Sequence, residues 1–396
     1  MIETAIKNIF EVLMGIITSL PLILLFLLIL TAIVCIHELG HFLAAKKFGV
    51  KVEEFSIGMG PLLYKWGKGE TQYSIRAFPI GGYVKMLGEG ESNDNPRSYS
   101  IAKPWKRLII IFAGVFMNFV LVAVIFTGLA IASGGTFIGG RFNPNYNYPF
   151  GDNKSSKIGV GSLEEGSPAQ KAGLKSLDVI IKVNDIDYNG VAEYKSIIDK
   201  NLGKEIKLEV APYLGGVKKN VNVIPRTKEE LKEGQGPIGF YILGGDASFI
   251  RAQFDGFSFP FAGVLQTYNA TDNYVNTLGT IFKQAFDKKD IQPLADSVSS
   301  PVGTYAVTKK VIDLNGFAGL MTITALISLA IGFMNAIPFP ALDGWHGLFI
   351  IFEMIFKKRP NEKLYNTITF LGFVLLLALG IIIMIKDVLN YNKLFG

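Results

Sequence analysis

The chain has 396 residues, of which 49% are hydrophobic, and a formal net charge of +6. That length and a positive mean hydropathy describe a membrane protein with some soluble mass attached. No basic run is interleaved with aromatic residues, which speaks against a nucleic-acid partner, and Cys35, the single cysteine, excludes an intrachain disulfide.

Taken in chain order, the N-terminus carries Glu3 and Glu11 where a cleaved signal would be basic. Residues 1–18 therefore read as a short amphipathic helix leading into the membrane. Four segments are long and apolar enough to cross a bilayer, which takes about 20 residues. They cover approximately 20–45, 108–132, 317–341 and 365–385. The second carries Asn118, and the fourth has almost no polar residue, as expected of lipid-facing scaffold. Lys46, Lys47, Lys51, Lys103, Lys106 and Arg107 crowd one connection. Lys357, Lys358, Arg359 and Lys363 crowd another. With four spans these two connections share a side, which the excess of positive charge makes cytoplasmic. Both termini and the stretch 134–315 then lie outside.

The first span ends on His37-Glu38-Leu39-Gly40-His41. On a helix His37 and His41 are one turn apart on one face, so both imidazoles reach one zinc ion, with Glu38 beside them to act on water. Ionisable groups at membrane depth are costly and are functional candidates by default. His37 lies nine residues before Lys46, roughly 13 Å deeper along a helix. A catalytic zinc takes three protein ligands. Spans one and three run in the same direction, so the third ligand is expected from the late part of span three. Asp343, His346 and Glu353 are the candidates there. Asp343 is preferred, because Pro338 and Pro340 break the helix before it and let the backbone bend towards the metal. Asn335, on the turn leading to these prolines, is a candidate donor to the charge that develops during hydrolysis, or a cap for freed backbone groups. Glu38 is the expected general base.

These residues resemble the bacterial site-2 proteases, the zinc metalloproteases of regulated intramembrane proteolysis. HELGH at 37–41 matches their first motif. Asn335, Pro338, Pro340, Leu342, Asp343 and Gly344 match their second, N-x-x-P-x-P-x-L-D-G. Gly114-x-x-x-Asn118, the runs FSIGMGP and FPIGGYVKM, and SSPVG at 299–303 are further points of likeness. The resemblance implies His37, His41 and Asp343 as zinc ligands, Glu38 as catalytic base and Asn335 near bound substrate. Asn118, Pro338 and Pro340 are expected beside the substrate as well. It also implies a β-rich loop over about 53–90 that dips into the membrane, with Gly81-Gly82 offering a turn. Such a loop would hold an unwound substrate segment as an added strand. One departure is Trp345, where the family often has a second glycine.

Residues 156–228 resemble a bacterial PDZ domain, with EEGSPAQKAGL, LDVIIKVND and IKLEVAPY in order. Leu177 stands where a glycine is expected before Asp178. The segment 158–163 is the candidate groove strand. Residues 237–315 read as extracytoplasmic amphipathic helices on the membrane surface. The fold class is thus a polytopic α-helical membrane protein with four transmembrane helices, a membrane-associated β-rich loop and one extracytoplasmic α/β PDZ-like domain. Residues 1–136 hold the first two spans and 316–396 the last two. The resemblance places the protein in the bacterial cytoplasmic membrane with one Zn2+ per chain. Its substrates would be single-span membrane proteins of the anti-sigma-factor or remnant-signal-peptide type, with a peptide or domain ligand at the PDZ groove. A catalytically inactive scaffold and a metal transporter are the competing classes. The intact zinc motifs argue against the first, and four spans without a repeat argue against the second.

Overall fold

A computed structural model describes residues 2–90, 94–140, 146–213, 217–231, 235–243, 249–359 and 361–389. Four of its helices carry stretches long and apolar enough to cross a membrane: Leu20–Lys47, Pro104–Ser133, Asn315–Ala336 and Glu362–Asp387. They belong to helices α1 (Ile2–Lys47), α2 (Pro104–Ser133), α7 (Pro301–Ala336) and α9 (Glu362–Leu389). The chain divides into two compact units. One contains residues 1–121, 299–309 and 327–396; the other contains 122–298 and 310–326.

In the first unit, α1 runs without a break through Pro21 to Lys47. It is followed by β1 (Val52–Trp66) and β2 (Gln72–Met86), which pair antiparallel. The register is folded over on itself. Ser56 pairs with both Tyr83 and Ser74, and Ile57 with both Gly82 and Ile75. The early half of β1 therefore lies between the two halves of β2. Gly58 and Gly81 take φ of +82° and +79°, a conformation glycine adopts without a Cβ penalty, and the two strands bend near them. The expected turn at Gly81-Gly82 is accordingly a bend within β2, and the reversal between the strands falls at residues 67–71. Val52, Val84 and Met86 at the base of this hairpin pack with Ala45, Val50 and Ile110, which fixes it against the ends of α1 and α2. Its far end leaves Leu62, Leu63, Tyr64, Phe78 and Ile80 exposed.

The third span ends at Ala336, five residues before the sequence-based boundary of 341. Pro338 is the cause: the residue before a proline is driven out of the helical region, and Ile337 is extended at ψ 138°. A short turn leads from there into α8 (Asp343–Phe356). α8 is thus a separate helix, where the sequence suggested only a bent backbone.

The second unit is built on an eight-stranded sheet. It contains β3 (Thr136–Gly140), β4 (Asp152–Leu163), β5 (Asp178–Val183), β6 (Ile186–Asp187), β7 (Ile206–Pro212), β8 (Lys219–Val223), β9 (Phe240–Leu243) and β10 (Phe249–Gln253). The main order is β3-β10-β4-β5-β7-β8, with β6 on β5 and β9 on β4. Two helices, α3 (Pro168–Lys171) and α4 (Gly190–Asp199), complete a PDZ-like module. Its core joins Ile158, Val160, Ile180, Tyr194, Ile198, Leu208 and Val221. Leu177 sits at φ +68°, the left-handed region that suits the glycine it replaces. Two expectations are corrected here. Residues 240–243 and 249–253 are strands of this sheet, so the helical region begins only after residue 253; it comprises a 3-10 turn (Gly256–Phe261), α5 (Ala262–Lys288) and α6 (Gln292–Ser297). And 158–163 is covered by its neighbours: Ile158 and Gly159 pair with β5, and Gly159, Val160 and Leu163 pair with β9. Among the described residues β9 pairs only with β4. Phe240 and Ile242 of β9 share the core cluster with Tyr194 and Ile198 of α4.

Candidate metal centre

The two helices that carry the centre approach very closely. A Cβ on Gly40 of α1 would lie 2.2 Å from the carbonyl oxygen of Ala113 on α2, so only glycine allows this contact. The same approach brings Gly114 against the imidazoles. A Cβ there would lie 2.5 Å from His41 Nε2 and 2.7 Å from His37 Nε2. Both histidines are buried, at 5% and 6% exposure, with ring centroids 4.8 Å apart. His41 Nδ1–H donates to the carbonyl of Ile110 at 2.8 Å. A carbonyl only accepts, so the proton is on Nδ1 and the lone pair of Nε2 faces the centre.

Asp343 arrives from the other end of the sequence. The turn over 337–342 places it at the first position of α8, where the partial positive charge of a helix N-terminus favours a carboxylate. Gly344 makes this placement sterically possible: a Cβ on it would meet the carbonyl oxygens of Ile337 and Ala336 at 2.3 and 2.5 Å. Asp343 Oδ2 lies 2.9 Å from His37 Nε2 and 3.3 Å from His41 Nε2. Among the described residues, His37, His41 and Asp343 are the cluster able to hold a metal ion, with ligand atoms within 4.8 Å of one another. Two imidazole nitrogens and one carboxylate oxygen are the donor types and the ligand count of a catalytic zinc site. The close-fitting glycine face against the imidazoles has no room for a methyl group.

The remaining sequence candidates separate clearly. Glu38, one residue along the ligand helix, is half-buried, and its Oε2 accepts the backbone N–H of Val84 at 3.0 Å. The hairpin thus holds this carboxylate by one oxygen. His346 stands apart from the cluster, its Nδ1 hydrogen-bonded to the Tyr365 hydroxyl of α9. Glu353 accepts from Arg107 at 2.5 Å and ties α8 to the start of α2. Asn335 is half-buried on the last turn of α7, Pro338 is exposed and Pro340 half-buried in the turn that follows. Asn118 is completely buried, with Gly332 of α7 packed against its Cβ. Trp345 faces α9, donating its Nε1–H to Thr369 Oγ1 at 2.9 Å. Gly40, the Ile110 carbonyl and the Val84 amide were not singled out from the sequence. Gly40 alone had a local signal, as the small residue inside the first motif.

A membrane-spanning helix that presents two imidazoles, joined by a carboxylate from a turn between helices, defines a metallohydrolase centre of the intramembrane kind. Residues 25–379 match Peptidase family M50. The chain is 34% identical over 358 residues to a protein of Clostridium acetobutylicum, covering 90% of this chain and 94% of the relative. It is 30% identical over 366 residues to one of Clostridium perfringens, with 92% and 97% covered. A Staphylococcus aureus relative is 27% identical over 451 residues, with 93% and 98% covered. All three bear the name "Putative zinc metalloprotease". The chain belongs to Peptidase family M50. It is a multi-pass zinc metalloprotease of the intramembrane type, and its substrates are proteins.

Proposed function

We propose that the protein hydrolyses peptide bonds within or near the transmembrane segment of single-span membrane proteins, of the anti-sigma-factor or remnant-signal-peptide type. The observation that carries this reading is the meeting of His37, His41 and Asp343 beside Glu38 on a helix apolar enough to span a bilayer. His37, His41 and Asp343 would hold zinc, which when bound supplies Lewis-acid polarisation of the scissile carbonyl and acidifies a water. Glu38 takes the proton of the attacking water as its oxygen bonds to the carbonyl carbon. It delivers that proton to the amide nitrogen as the C–N bond breaks. The Val84 N–H holds one Glu38 oxygen and orients the other for this work. Asn335 contributes a donor to the substrate carbonyl, and Pro338 and Pro340 keep the backbone beside it open to a peptide.

A helical substrate shields its peptide bonds and must be locally extended first. The hairpin β1–β2 supports this step. Its exposed apolar tip suits insertion among lipid tails, and a strand edge can take an extended peptide as an added strand. The PDZ-like module acts as a filter. The edge of β9 beside α4 takes the role first assigned to 158–163, since among the described residues β9 pairs only with β4 and packs in one core with α4. The clusters of Lys and Arg at 46–51, 103–107 and 357–363 favour an orientation with the centre near the cytoplasmic face. In a bacterial cytoplasmic membrane this puts the PDZ-like module and both termini outside.

The test uses purified protein in detergent with a single-span reporter substrate. Wild type cleaves it and a zinc chelator abolishes cleavage. Glu38→Gln retains zinc but loses activity by at least the 10²–10⁴-fold ascribed to a general base. Equal cleavage by both proteins would remove Glu38 from its role, and zinc flux into vesicles without cleavage would favour transport.

A further inference from the structure

Two buried polar groups on the helices of the metal centre have no hydrogen-bond partner among the described residues. One is Nδ1 of His37; the other is the whole side-chain amide of Asn118, both Oδ1 and Nδ2. Such groups cost free energy unless satisfied, the more so between membrane helices. The contrast with His41 is sharp, because its Nδ1–H is used by the Ile110 carbonyl. A ligating histidine ordinarily gives its second ring nitrogen to an acceptor that fixes ring orientation and raises donor strength. His37 lacks one among the described residues.

Helix geometry says where that acceptor is. α1 and α2 cross in close contact at Gly40 and Ala113–Gly114. His37 lies three residues back from Gly40, about 4.5 Å along α1. Asn118 lies four residues on from Gly114, about 6 Å along α2 in the same direction, because successive spans run antiparallel. The two residues are therefore level to within about one residue's rise of 1.5 Å. Gly114 faces the imidazoles, and a residue four positions along a helix lies on the same face. Asn118 is enclosed at 0% exposure, with Gly332 packed at its Cβ and Ser328 Oγ donating to its backbone carbonyl. α7 thus packs against the Cβ and Nδ2 of Asn118, and Oδ1 is the acceptor left for a group on α1. That enclosure also makes direct substrate contact a poor use of the residue.

We propose that Asn118 is a positioning residue for the metal ligand: its Oδ1 accepts, through one ordered water, the Nδ1–H of His37, so that His37 Nε2 is held towards the ion. One water satisfies both orphaned groups, which is the usual service of buried water in a polar pocket. The proposal rests on the zinc-site reading and deepens it, but its test reads metal affinity and not proteolysis. It can therefore fail while the protease assignment stands.

The measurement is zinc affinity by competition with a chromophoric chelator, on full-length protein in the Glu38→Gln background. Asn118→Leu keeps the volume and removes the amide; its affinity is expected to fall 10–100-fold, as for loss of other outer partners of ligating histidines. Asn118→Asp retains an acceptor oxygen and is expected to stay within about threefold of the parent, a rescue that packing alone would not produce. Equal affinity for Asn118→Leu and the parent overturns the proposal, as does an equal loss in both variants. Should either variant fail to fold, nitrogen-15 NMR of the zinc-loaded parent, which has only three histidines, decides alone. A hydrogen-bonded, slowly exchanging His37 Nδ1 proton is expected, and a free, rapidly exchanging one overturns the proposal.

Discussion

Gly114→Ala is the sharpest probe of the centre, because it adds one methyl group against both ligand nitrogens. The new carbon would sit 2.5 Å from His41 Nε2 and 2.7 Å from His37 Nε2. Restoring an ordinary carbon–nitrogen separation of about 3.5 Å requires each imidazole to retreat by roughly 0.8–1.0 Å. Metal sites tolerate ligand displacements of only about 0.2 Å. The imidazoles have little freedom to retreat: both are buried, and His41 is pinned to the Ile110 carbonyl. The alternative, separating α1 from α2, breaks the close packing of Gly40 on Ala113 and Gly114. Affinity should therefore fall by more than the 10–100-fold that follows loss of an outer partner alone, that is by more than about 1.4–2.8 kcal/mol.

The fold should survive this change. Alanine is favoured over glycine in a helix by about 0.8–1.0 kcal/mol, which offsets part of an overpacking cost of about 1–3 kcal/mol. The expected product is a folded protein with little zinc and no proteolysis. Gly128→Ala on the same helix is the control, since nothing lies within 4 Å of its added carbon. The assay is zinc content and chelator competition on detergent-purified protein, with thermal unfolding in parallel. Wild-type affinity in a folded Gly114→Ala protein would refute the reasoning, for it would mean that the two Nε2 atoms do not share one ion beside that glycine.

Two further outcomes are expected. Asp343→Ala should lose bound zinc whereas His346→Ala keeps most of it, since only the first side chain lies within 3.3 Å of the imidazole nitrogens and the second is engaged with Tyr365; zinc content of the two purified variants checks this, and the reverse pattern would move the third ligand to His346. At the base of the hairpin, hydrogen bonds from Arg97 and then Lys46 hold the Glu70 carboxyl at about 2, below the ordinary 4.5. A lowered carboxyl contributes stability that is complete above its unfolded value and lost as pH falls through the folded one. The 67–71 turn should therefore keep its resistance to proteolysis down to about pH 4.5 and lose it towards pH 2, while Glu70→Gln shows no such slope.

What was legible in the sequence is what short-range spacing encodes. The four-residue repeat of His37 and His41 fixes one helix face, and runs of about 20 apolar residues fix the spans. Asp343 was accessible for a less local reason. Charge distribution assigned spans one and three the same direction, which brought their ends to one depth, and the two prolines marked where the backbone leaves the helix. The errors share a physical origin. Gly81-Gly82 carries a turn signature, but β2 is paired on both sides of that point with β1, and the ladder makes the pair a bend rather than a reversal. Residues 240–243 and 249–253 carry apolar residues at a spacing that suits a helix as well as a strand. The ladders to β4 and β3, formed with residues about 80 to 120 positions earlier, decide for strand.

The groups that tune the centre were the least visible, and the reason is instructive. The Val84 amide, the Ile110 carbonyl and the orphaned Asn118 amide act through backbone atoms or through a side chain common in many roles. None leaves a pattern in one sequence. They become meaningful only once α1 and α2 are in register, and that register is set by Gly40 against Ala113 and Gly114 against the imidazoles. Two glycines thus set how closely α1 and α2 approach at this site. They let two helix backbones come close enough for a carbonyl of one helix to orient a ligand of the other. In a membrane, where small residues rather than hydrophobic burial let helices meet, the same contact that packs the spans also shapes the metal centre. A substitution at Gly114 should consequently perturb zinc before it perturbs the fold, whereas one at Gly40 strikes the backbone of α2 directly.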